Sequence, residues 1–267
     1  MSLLTHIHHQ AELGGWISQL LVVPFLLAFL LYITAVKRSN RNYTKWPLKR
    51  TLLFSGGIIF AVSALTGPIA ERAHVDFSFH MYAHLLLGML APLLLALSAP
   101  MTLLLRTLSV NASRKLTRFL KCKTFSVVTD PAVATVLNIG GLWVLYTTSL
   151  YEAMHQHVGL YLFVHFHVFL AGYLFTISII YIDPTAHRRS YLYRAIVFIL
   201  ALAGHGILSK FIYSRPPNGV PVEQAERGAM VMYYGGDVID GIIMVILCYQ
   251  WYKATRPKAL GKVALEE

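Results

Sequence analysis

Two histidines stand one helical turn apart at the start of a long apolar stretch. His80 and His84 lie in the run FHMYAH, which begins at Phe79, and the apolar stretch continues to Leu105. Side chains four residues apart project from the same face of a helix, so both imidazoles would meet one neighbour. An unpartnered polar side chain in hydrocarbon costs on the order of several kcal/mol. The matched pair therefore predicts a site with a chemical role.

Further ionisable side chains fall at a similar depth in other apolar segments. Counting about 1.5 Å per residue from the segment ends places His165 about 9 Å deep, and His205 and Asp237 about 12 Å deep. These depths are measured from the same membrane face as those of the histidine pair. The candidate metal site therefore consists of His80, His84, His165, His205 and Asp237.

The donor atoms limit the choice of metal. The two cysteines, Cys122 and Cys248, fall at the opposite membrane face, so a site near these histidines has no thiolate. Imidazoles with optional thioethers suit copper, zinc or haem iron and disfavour magnesium and calcium. Of these metals, the combination of imidazole and thioether ligands favours copper. Bis-imidazole ligation of haem remains open, as does a zinc hydrolase in which Asp237 is a ligand or a base.

The same residues also have structural interpretations. The His80/His84 pair would serve as an interhelical hydrogen-bond pair, with no metal involved. Lys210 would form an ion pair with Asp237 or with Asp240, which lies one turn deeper on the same helix. In that case the aspartates would not be ligands.

Other histidines are not expected to belong to the metal site. His167 projects away from His165, since two residues turn a helix by about 200°, and we expect it to be a packing residue. We expect His6, His8 and His9 to belong to a solvated N-terminal tail.

The elements that carry these residues are predicted by composition. Of 267 residues, 56% are hydrophobic and 13% are charged, and the apolar residues form blocks separated by basic or polar loops. Blocks of about twenty apolar residues are long enough to cross a bilayer as helices. The expected fold is all-α, a single integral membrane domain over 1–267 with seven transmembrane helices. The predicted spans are 16–36, 51–70, 78–105, 130–150, 159–182, 195–213 and 229–251.

The basic residues predict the orientation of this bundle. Of the 23 lysines and arginines, all but Arg72, Lys210, Arg215 and Arg227 fall in alternate loops and the C-terminal tail, on one side. The positive-inside rule then places the N-terminus outside and the C-terminus inside the cell. This pattern explains the net charge of +11 without a nucleic-acid partner. We expect a multi-pass protein of a prokaryotic inner membrane, in contact with the lipid bilayer.

Several short motifs occur along the chain, namely HMYAHLLL from His80, APLL from Ala91, AP at Ala99, DP at Asp183, YYGGD ending at Asp237 and WY at Trp251. These motifs resemble those of a known family, the polytopic CtaG-like cytochrome c oxidase assembly factors. The resemblance extends along most of the chain.

The resemblance implies a role in maturing a haem-copper oxidase of the respiratory chain, with oxidase subunits as partners. It implies help in bringing copper to the oxidase. On that basis we expect His80, His84, His165 and His205 to bind Cu(I), with Asp237 orienting one ligand. The alternatives are a haem-binding or zinc-dependent membrane enzyme, and an assembly chaperone that holds no metal.

Overall fold

The computed structural model describes residues 2–257 apart from residue 186, with side chains described from residue 20 onward. The described residues form helices and loops without strands. The helices are α1 Ser2–Asn42, α2 Leu48–Leu65, α3 Pro68–Ala73, α4 Phe77–Leu97, α5 Pro100–Thr107, α6 Val110–Leu120, α7 Lys123–Val128, α8 Pro131–Thr147, α9 Leu150–Gln156, α10 Val158–Ile179, α11 Tyr191–Ser214 and α12 Val222–Thr255.

Helix length and composition confirm a polytopic all-α bundle. Within the described residues, six helices are long and apolar enough to cross a membrane, namely α1, α2, α4, α10, α11 and α12. The helices α8 and α9 pass the same test only as a pair, and their axes are bent by 79°. The predicted number of seven spans is reached when this bent pair counts as one.

The third predicted span is interrupted. The prediction runs from 78 to 105, whereas α4 ends at Leu97 and α5 begins at Pro100. A proline disfavours right-handed helical geometry in the residue before it, and Ala99 has a φ of 53° in the left-handed region. The predicted continuous helix is therefore wrong at this point, because the chain turns at Ala99.

A distant carboxylate stabilises the restart of the helix. The backbone N–H groups of Met101 and Thr102 donate to the Asp183 carboxylate at 3.0 and 2.7 Å, and the Thr102 hydroxyl also donates to it. These donors belong to the first turn of α5, where N–H groups lack partners within the helix. Asp183 thus ties the segment after α10 to α5, which gives the DP motif a structural role.

The helix α4 lies at the centre of the bundle. It packs against α2, α3, α10 and α12, while α1 lies at the edge against α2 and α5. The exposed side chains of α1 include Leu20, Leu30 and Leu31, as expected for a helix that faces lipid. Where α10 crosses α4, a Cβ on Gly172 would overlap the carbonyl oxygen of Gly88. Only glycine permits this close crossing, which brings the histidines of the two helices together.

Each of two central helices contains one π-helical turn. These turns cover Leu86–Leu90 in α4 and Val136–Gly140 in α8. Such turns shift the register of a helix by one residue and are frequent at functional sites. The turn in α4 begins two residues after His84, and the turn in α8 contains Asn138. Both residues line the cavities described next.

Candidate functional site

Five histidines surround a small cavity near the start of α4, which we call the histidine cavity. It encloses about 30 Å³. A single water needs on the order of 10–15 Å³ of such space, so one metal ion or two waters would fit. The histidines that line the cavity are His74, His80, His84, His155 and His165. The structure thus brings together three of the predicted site residues, His80, His84 and His165.

His80 is held in place by an aromatic cluster. Its Nε2 and the Tyr146 hydroxyl are hydrogen-bonded at 3.0 Å. Its ring lies 5.0 Å from the ring of Tyr151 and 5.8 Å from that of Phe77, measured between centroids. His80 is only 8% exposed. Packing and hydrogen bonding therefore fix the orientation of this imidazole at the cavity wall.

Two histidines of the cavity have their tautomer set by the backbone. The Nδ1 of His165 lies 2.8 Å from the Tyr161 carbonyl oxygen, and the Nδ1 of His155 lies 2.9 Å from the Tyr151 carbonyl oxygen. A carbonyl only accepts hydrogen bonds, so each Nδ1 carries the proton and each Nε2 keeps a free lone pair. Metal-ligating histidines are typically oriented by this kind of hydrogen bond.

His84 has no hydrogen-bond partner among the described residues. It is 6% exposed, and both Nδ1 and Nε2 are buried without a partner. A buried imidazole in this state loses its hydration without compensation, at a cost of about 1–3 kcal/mol for each unsatisfied group. A metal ion or a hydrogen-bonding ligand beside the ring would remove that cost.

His84 also borders a second cavity of about 20 Å³, which we call the aspartate cavity. Its wall includes His205 of α11, Asp240 of α12, Asn138 of α8 and the thioether-bearing Met89 of α4. His205 is 3% exposed, and its Nε2 has no partner among the described residues. The rings of His84 and His205 lie 6.4 Å apart between centroids. His84 therefore belongs to both cavities.

The structure separates the two aspartates of α12. Asp240 is 4% exposed and lines the aspartate cavity, whereas the predicted site residue Asp237 is exposed and lines neither cavity. The reason lies at Gly236, where a Cβ would collide with the His205 ring. Gly236 therefore faces α11, and Asp240, one turn further, lies on the same helix face, while Asp237 points elsewhere.

The predicted ion pair of Lys210 is not formed among the described residues. The Lys210 ammonium lies 5.4 Å from the ring centroid of Tyr233. The single ion pair in the described part of the chain joins Arg189 to Asp130. Asp240 is therefore not neutralised by Lys210, and its carboxyl group is free to act within the aspartate cavity.

His74 and His155 were not among the predicted site residues, because their short segments give no sign of folding over the cavity. His74 follows α3, and His155 lies in α9, which the 79° bend brings back toward the bundle. Loss of hydration lowers the pKa of His74 below its ordinary value, and the nearby His155 lowers it further. His74 is therefore neutral at pH 7, as a metal ligand must be.

His167 fills a packing role, as expected. Its Nε2 donates to the Leu137 carbonyl oxygen at 3.0 Å, and its ring packs where a Cβ on Gly141 would otherwise lie. The predicted N-terminal tail with His6, His8 and His9 lies outside the residues whose side chains are described.

The cavities are lined by imidazole nitrogens and one thioether, the donor types that soft and borderline metals prefer. In the described part of the chain, no three His, Cys, Asp or Glu side chains stand close enough to hold one ion jointly. Two imidazoles that share a metal at about 2 Å from each nitrogen have centroids about 6 Å apart. The pairs His84/His205 and His80/His155, both at 6.4 Å, have about this separation. Two-ligand binding of copper or zinc is therefore compatible with these positions.

The fold and the cavities together define a class, a polytopic membrane protein with buried, partly unpartnered histidines inside its helix bundle. The family model described as cytochrome c oxidase caa3 assembly factor (Caa3_CtaG) matches residues 30–254. The chain belongs to this family, which confirms the resemblance noted in its motifs.

The chain is also similar to curated proteins whose names describe no activity. An uncharacterized protein of Mycobacterium leprae is 28% identical over 170 residues, which cover 61% of this chain and 26% of the relative. An uncharacterized protein of Mycobacterium bovis is 29% identical over 167 residues, covering 60% of this chain and 25% of the relative. The chain thus aligns with only about a quarter of the length of these relatives. No solved structure matches the chain.

Proposed function

We propose that this protein assists assembly of a haem-copper cytochrome c oxidase by binding copper within the membrane and passing it to the oxidase. The observation that carries the proposal is His84, whose two buried nitrogens lack partners and which borders both cavities. A ring with this environment gains from a metal on either side, because coordination replaces the hydrogen bonds that it lacks. Because the chain belongs to an oxidase assembly family, we take the oxidase to be the recipient of the metal.

The lining residues define a path for copper as cargo. His74 and His155 line the histidine cavity and are exposed, so these two residues capture an incoming ion in our proposal. Inside the cavity, two imidazoles at a time hold the ion, drawn from His80, His84 and His165, and His84 then shares it with His205 beside Asp240. His84 exchanges its ligand partners in this scheme, so the ion never leaves imidazole coordination.

Sparse coordination supports a carrier role. A donor must hold its metal less tightly than the acceptor, and pairs of imidazoles bind more weakly than a three- or four-ligand cage. The proposed ligands are His80, His84, His165 and His205, with Asp240 rather than Asp237 as the nearby carboxylate. Met89 adds a thioether, a soft donor that favours Cu(I).

The proposed topology places the mouth of the histidine cavity outside the cell. We propose an N-out/C-in orientation in the bacterial inner membrane, because the basic residues gather at the opposite end of the bundle. There α6 exposes Arg114, Lys115 and Arg118. His84 lies seven residues after the start of α4, about 10 Å along the helix. Copper at that depth would pass laterally to a recipient site buried at a similar level.

The alternatives predict different observations. A haem protein would purify with a Soret band that weakens when an axial histidine is replaced. Cavities of about 30 and 20 Å³ leave no room for a porphyrin unless the helices separate. A zinc hydrolase would hold stoichiometric zinc and turn over a lipid-like substrate. A metal-free chaperone would co-purify with oxidase subunits and bind no copper.

The test compares copper binding with oxidase activity. Purified protein in detergent is loaded anaerobically with Cu(I), and bound copper is counted for wild type and for the His80→Ala/His84→Ala variant. We expect about one copper per chain in wild type and a loss of at least tenfold in affinity in the variant. Cells carrying the variant should show lower oxidase activity at unchanged abundance of the protein.

The matched control removes two histidines that line neither cavity, in the variant His157→Ala/His187→Ala. Both residues are exposed. This variant should bind copper and support oxidase activity as wild type does. Equal copper binding by all three proteins, or full oxidase activity in cells with the His80→Ala/His84→Ala variant, would contradict the proposal.

A further inference from the structure

A basic cleft lies at the end of the bundle opposite the histidine cavity. It is formed by the segment after α10, the first turn of α11 and the last turns of α12, and it encloses about 500 Å³. Four cationic side chains line it, namely Arg188, Arg189, Arg194 and Lys253. Tyr181, Tyr191 and Gln250 complete the wall. Copper transfer uses none of these residues.

Arg194 is the unusual member of this cleft, because its guanidinium is buried. The residue is 1% exposed. Its Nη1 donates to the Ile179 carbonyl oxygen at 2.6 Å, and its guanidinium carbon lies 4.1 and 4.4 Å from the ring centroids of Tyr181 and Tyr191. Its Nε is buried without a hydrogen-bond partner in the described part of the chain. The side chain is thus held in place with an unused donor.

No carboxylate among the described residues compensates this charge. Asp130 pairs with Arg189 at 2.7 Å, and that is the single ion pair in the described residues. Arg194, Arg188 and Lys253 therefore leave the cleft with excess positive charge. A buried cation without a counter-ion is costly, whereas an anion in the cleft would compensate it.

The backbone adds to the attraction for an anion. The cleft lies at the N-terminus of α11, a helix of 24 residues that begins at Tyr191. Helix N-termini carry a partial positive charge and N–H groups without partners in the helix. The Ser190 hydroxyl, just before this turn, accepts the Tyr193 N–H at 3.2 Å.

Aromatic residues place the cleft at the level of lipid headgroups. The rings of Tyr191 and Trp251 stack with centroids 6.0 Å apart, and Tyr181 lies beside them in the cleft wall. Tyrosine and tryptophan gather where the hydrocarbon meets the headgroups of a bilayer. An anionic group available at this depth in every bacterial membrane is the phosphate of a phospholipid.

We propose that this cleft is a binding site for a phosphate group, occupied by the headgroup of an anionic phospholipid. Arginine presents several N–H donors in a plane that matches phosphate oxygens. Arg194 supplies uncompensated positive charge beneath the cleft, while the exposed Arg188 and Lys253 supply donors at its surface. A lipid bound here would bridge the start of α11 and the end of α12.

The test counts lipids retained by the full-length protein in detergent, using native mass spectrometry with added phosphatidylglycerol. Wild type is compared with Arg188→Gln/Lys253→Gln, which changes two exposed side chains and leaves the buried Arg194 intact. We expect phosphatidylglycerol to bind this variant about thirtyfold more weakly, which corresponds to about 1 kcal/mol per cation. The matched control, Arg114→Gln/Lys115→Gln, removes the same charge from exposed positions on α6 and should bind as wild type does.

Two further comparisons distinguish a lipid phosphate from free inorganic phosphate as the occupant of the cleft. Phosphatidylcholine, which has no net charge, should bind wild type more weakly than phosphatidylglycerol, and millimolar inorganic phosphate should compete with the lipid only in part. Inorganic phosphate that binds as tightly as the lipid would overturn the lipid assignment. Equal binding of phosphatidylglycerol to wild type and Arg188→Gln/Lys253→Gln, or equal binding of the two lipids, would overturn the site itself.

Discussion

Replacing His84 with leucine should stabilise the metal-free protein while removing its ability to bind copper. Functional groups buried without partners destabilise a fold, so their removal raises stability at the expense of activity. His84 meets this condition, because it is 6% exposed and neither ring nitrogen has a partner among the described residues. Leucine fills a comparable volume without a polar atom.

The size of the effect follows from the two unsatisfied nitrogens. One unsatisfied buried polar group costs about 1–3 kcal/mol. Ordered water in the adjoining cavity, which has room for about two molecules, would recover part of that cost. We therefore expect His84→Leu to gain about 1–3 kcal/mol in total. For a chain of this size the melting temperature would rise by about 2–4 °C for each kcal/mol.

The assay is thermal unfolding in detergent after metal removal, followed by Cu(I) titration of the same samples. The matched control is His167→Leu, because His167 donates to the Leu137 carbonyl oxygen at 3.0 Å. That change leaves a partly buried carbonyl without this hydrogen bond and should lower stability by about 1 kcal/mol. The two substitutions thus have opposite expected signs.

The reasoning would be refuted by a His84→Leu protein that melts below wild type in the absence of metal. Such a result would mean that His84 makes a stabilising interaction in the metal-free protein. Unchanged copper affinity in the same variant would refute its role in metal binding independently.

Three further predictions concern other residues. Asp240→Asn should lower copper retention by at least severalfold in Cu(I) competition assays, whereas Asp237→Asn, at an exposed position, should leave it unchanged; equal effects would contradict the inward placement of Asp240. Asp183→Ala removes the acceptor for the first turn of α5 and should lower the free energy of unfolding by about 1–2 kcal/mol in chemical denaturation, and no loss would contradict that role. Because the pKa of His74 is lowered below 6.5, the ring stays neutral at pH 7 and is protonated only as the pH falls through its lowered value. The part of copper capture that is lost in His74→Ala should therefore persist below pH 6.5 when wild type and this variant are titrated together, and its loss already above pH 6.5 would contradict this.

The helices were predictable because a membrane-spanning segment must be both long and apolar. The prediction failed where local geometry overrides hydropathy. Apolar residues continue through Ala99, yet Pro100 forces a turn there, and the second predicted span extends to 70 although α2 ends at Leu65. The bend between α8 and α9 falls between Thr147 and Leu150, at the end of the predicted span 130–150.

The candidate site was predictable to the extent that helical periodicity determines it. The four-residue spacing of His80 and His84 indicates a common helix face, and both do line the histidine cavity. The choice between Asp237 and Asp240 depends on how α12 is rotated about its axis, which is set by contact with α11. The sequence does contain an indication of this rotation, because Met232, Gly236 and Asp240 recur at four-residue spacing and all three are buried.

His74 and His155 line the histidine cavity because of how the chain folds, and no periodic pattern in the sequence predicts this. Both residues lie in short segments, and the cavity exists only because those segments return to the bundle. The close crossing of α4 and α10 at Gly88 and Gly172 likewise cannot be predicted from a periodic pattern. Glycines in an apolar segment indicate that some helix approaches closely, but not which one.

The measurement that tests the proposed function most directly is X-ray absorption spectroscopy of the Cu(I)-loaded protein. Binding between pairs of buried histidines predicts two nitrogen ligands at about 2 Å with the multiple scattering of imidazole rings. These features should disappear in His80→Ala/His84→Ala and persist in His157→Ala/His187→Ala. A copper site dominated by sulfur, or an imidazole spectrum that is unchanged in His80→Ala/His84→Ala, would contradict copper binding between these histidines.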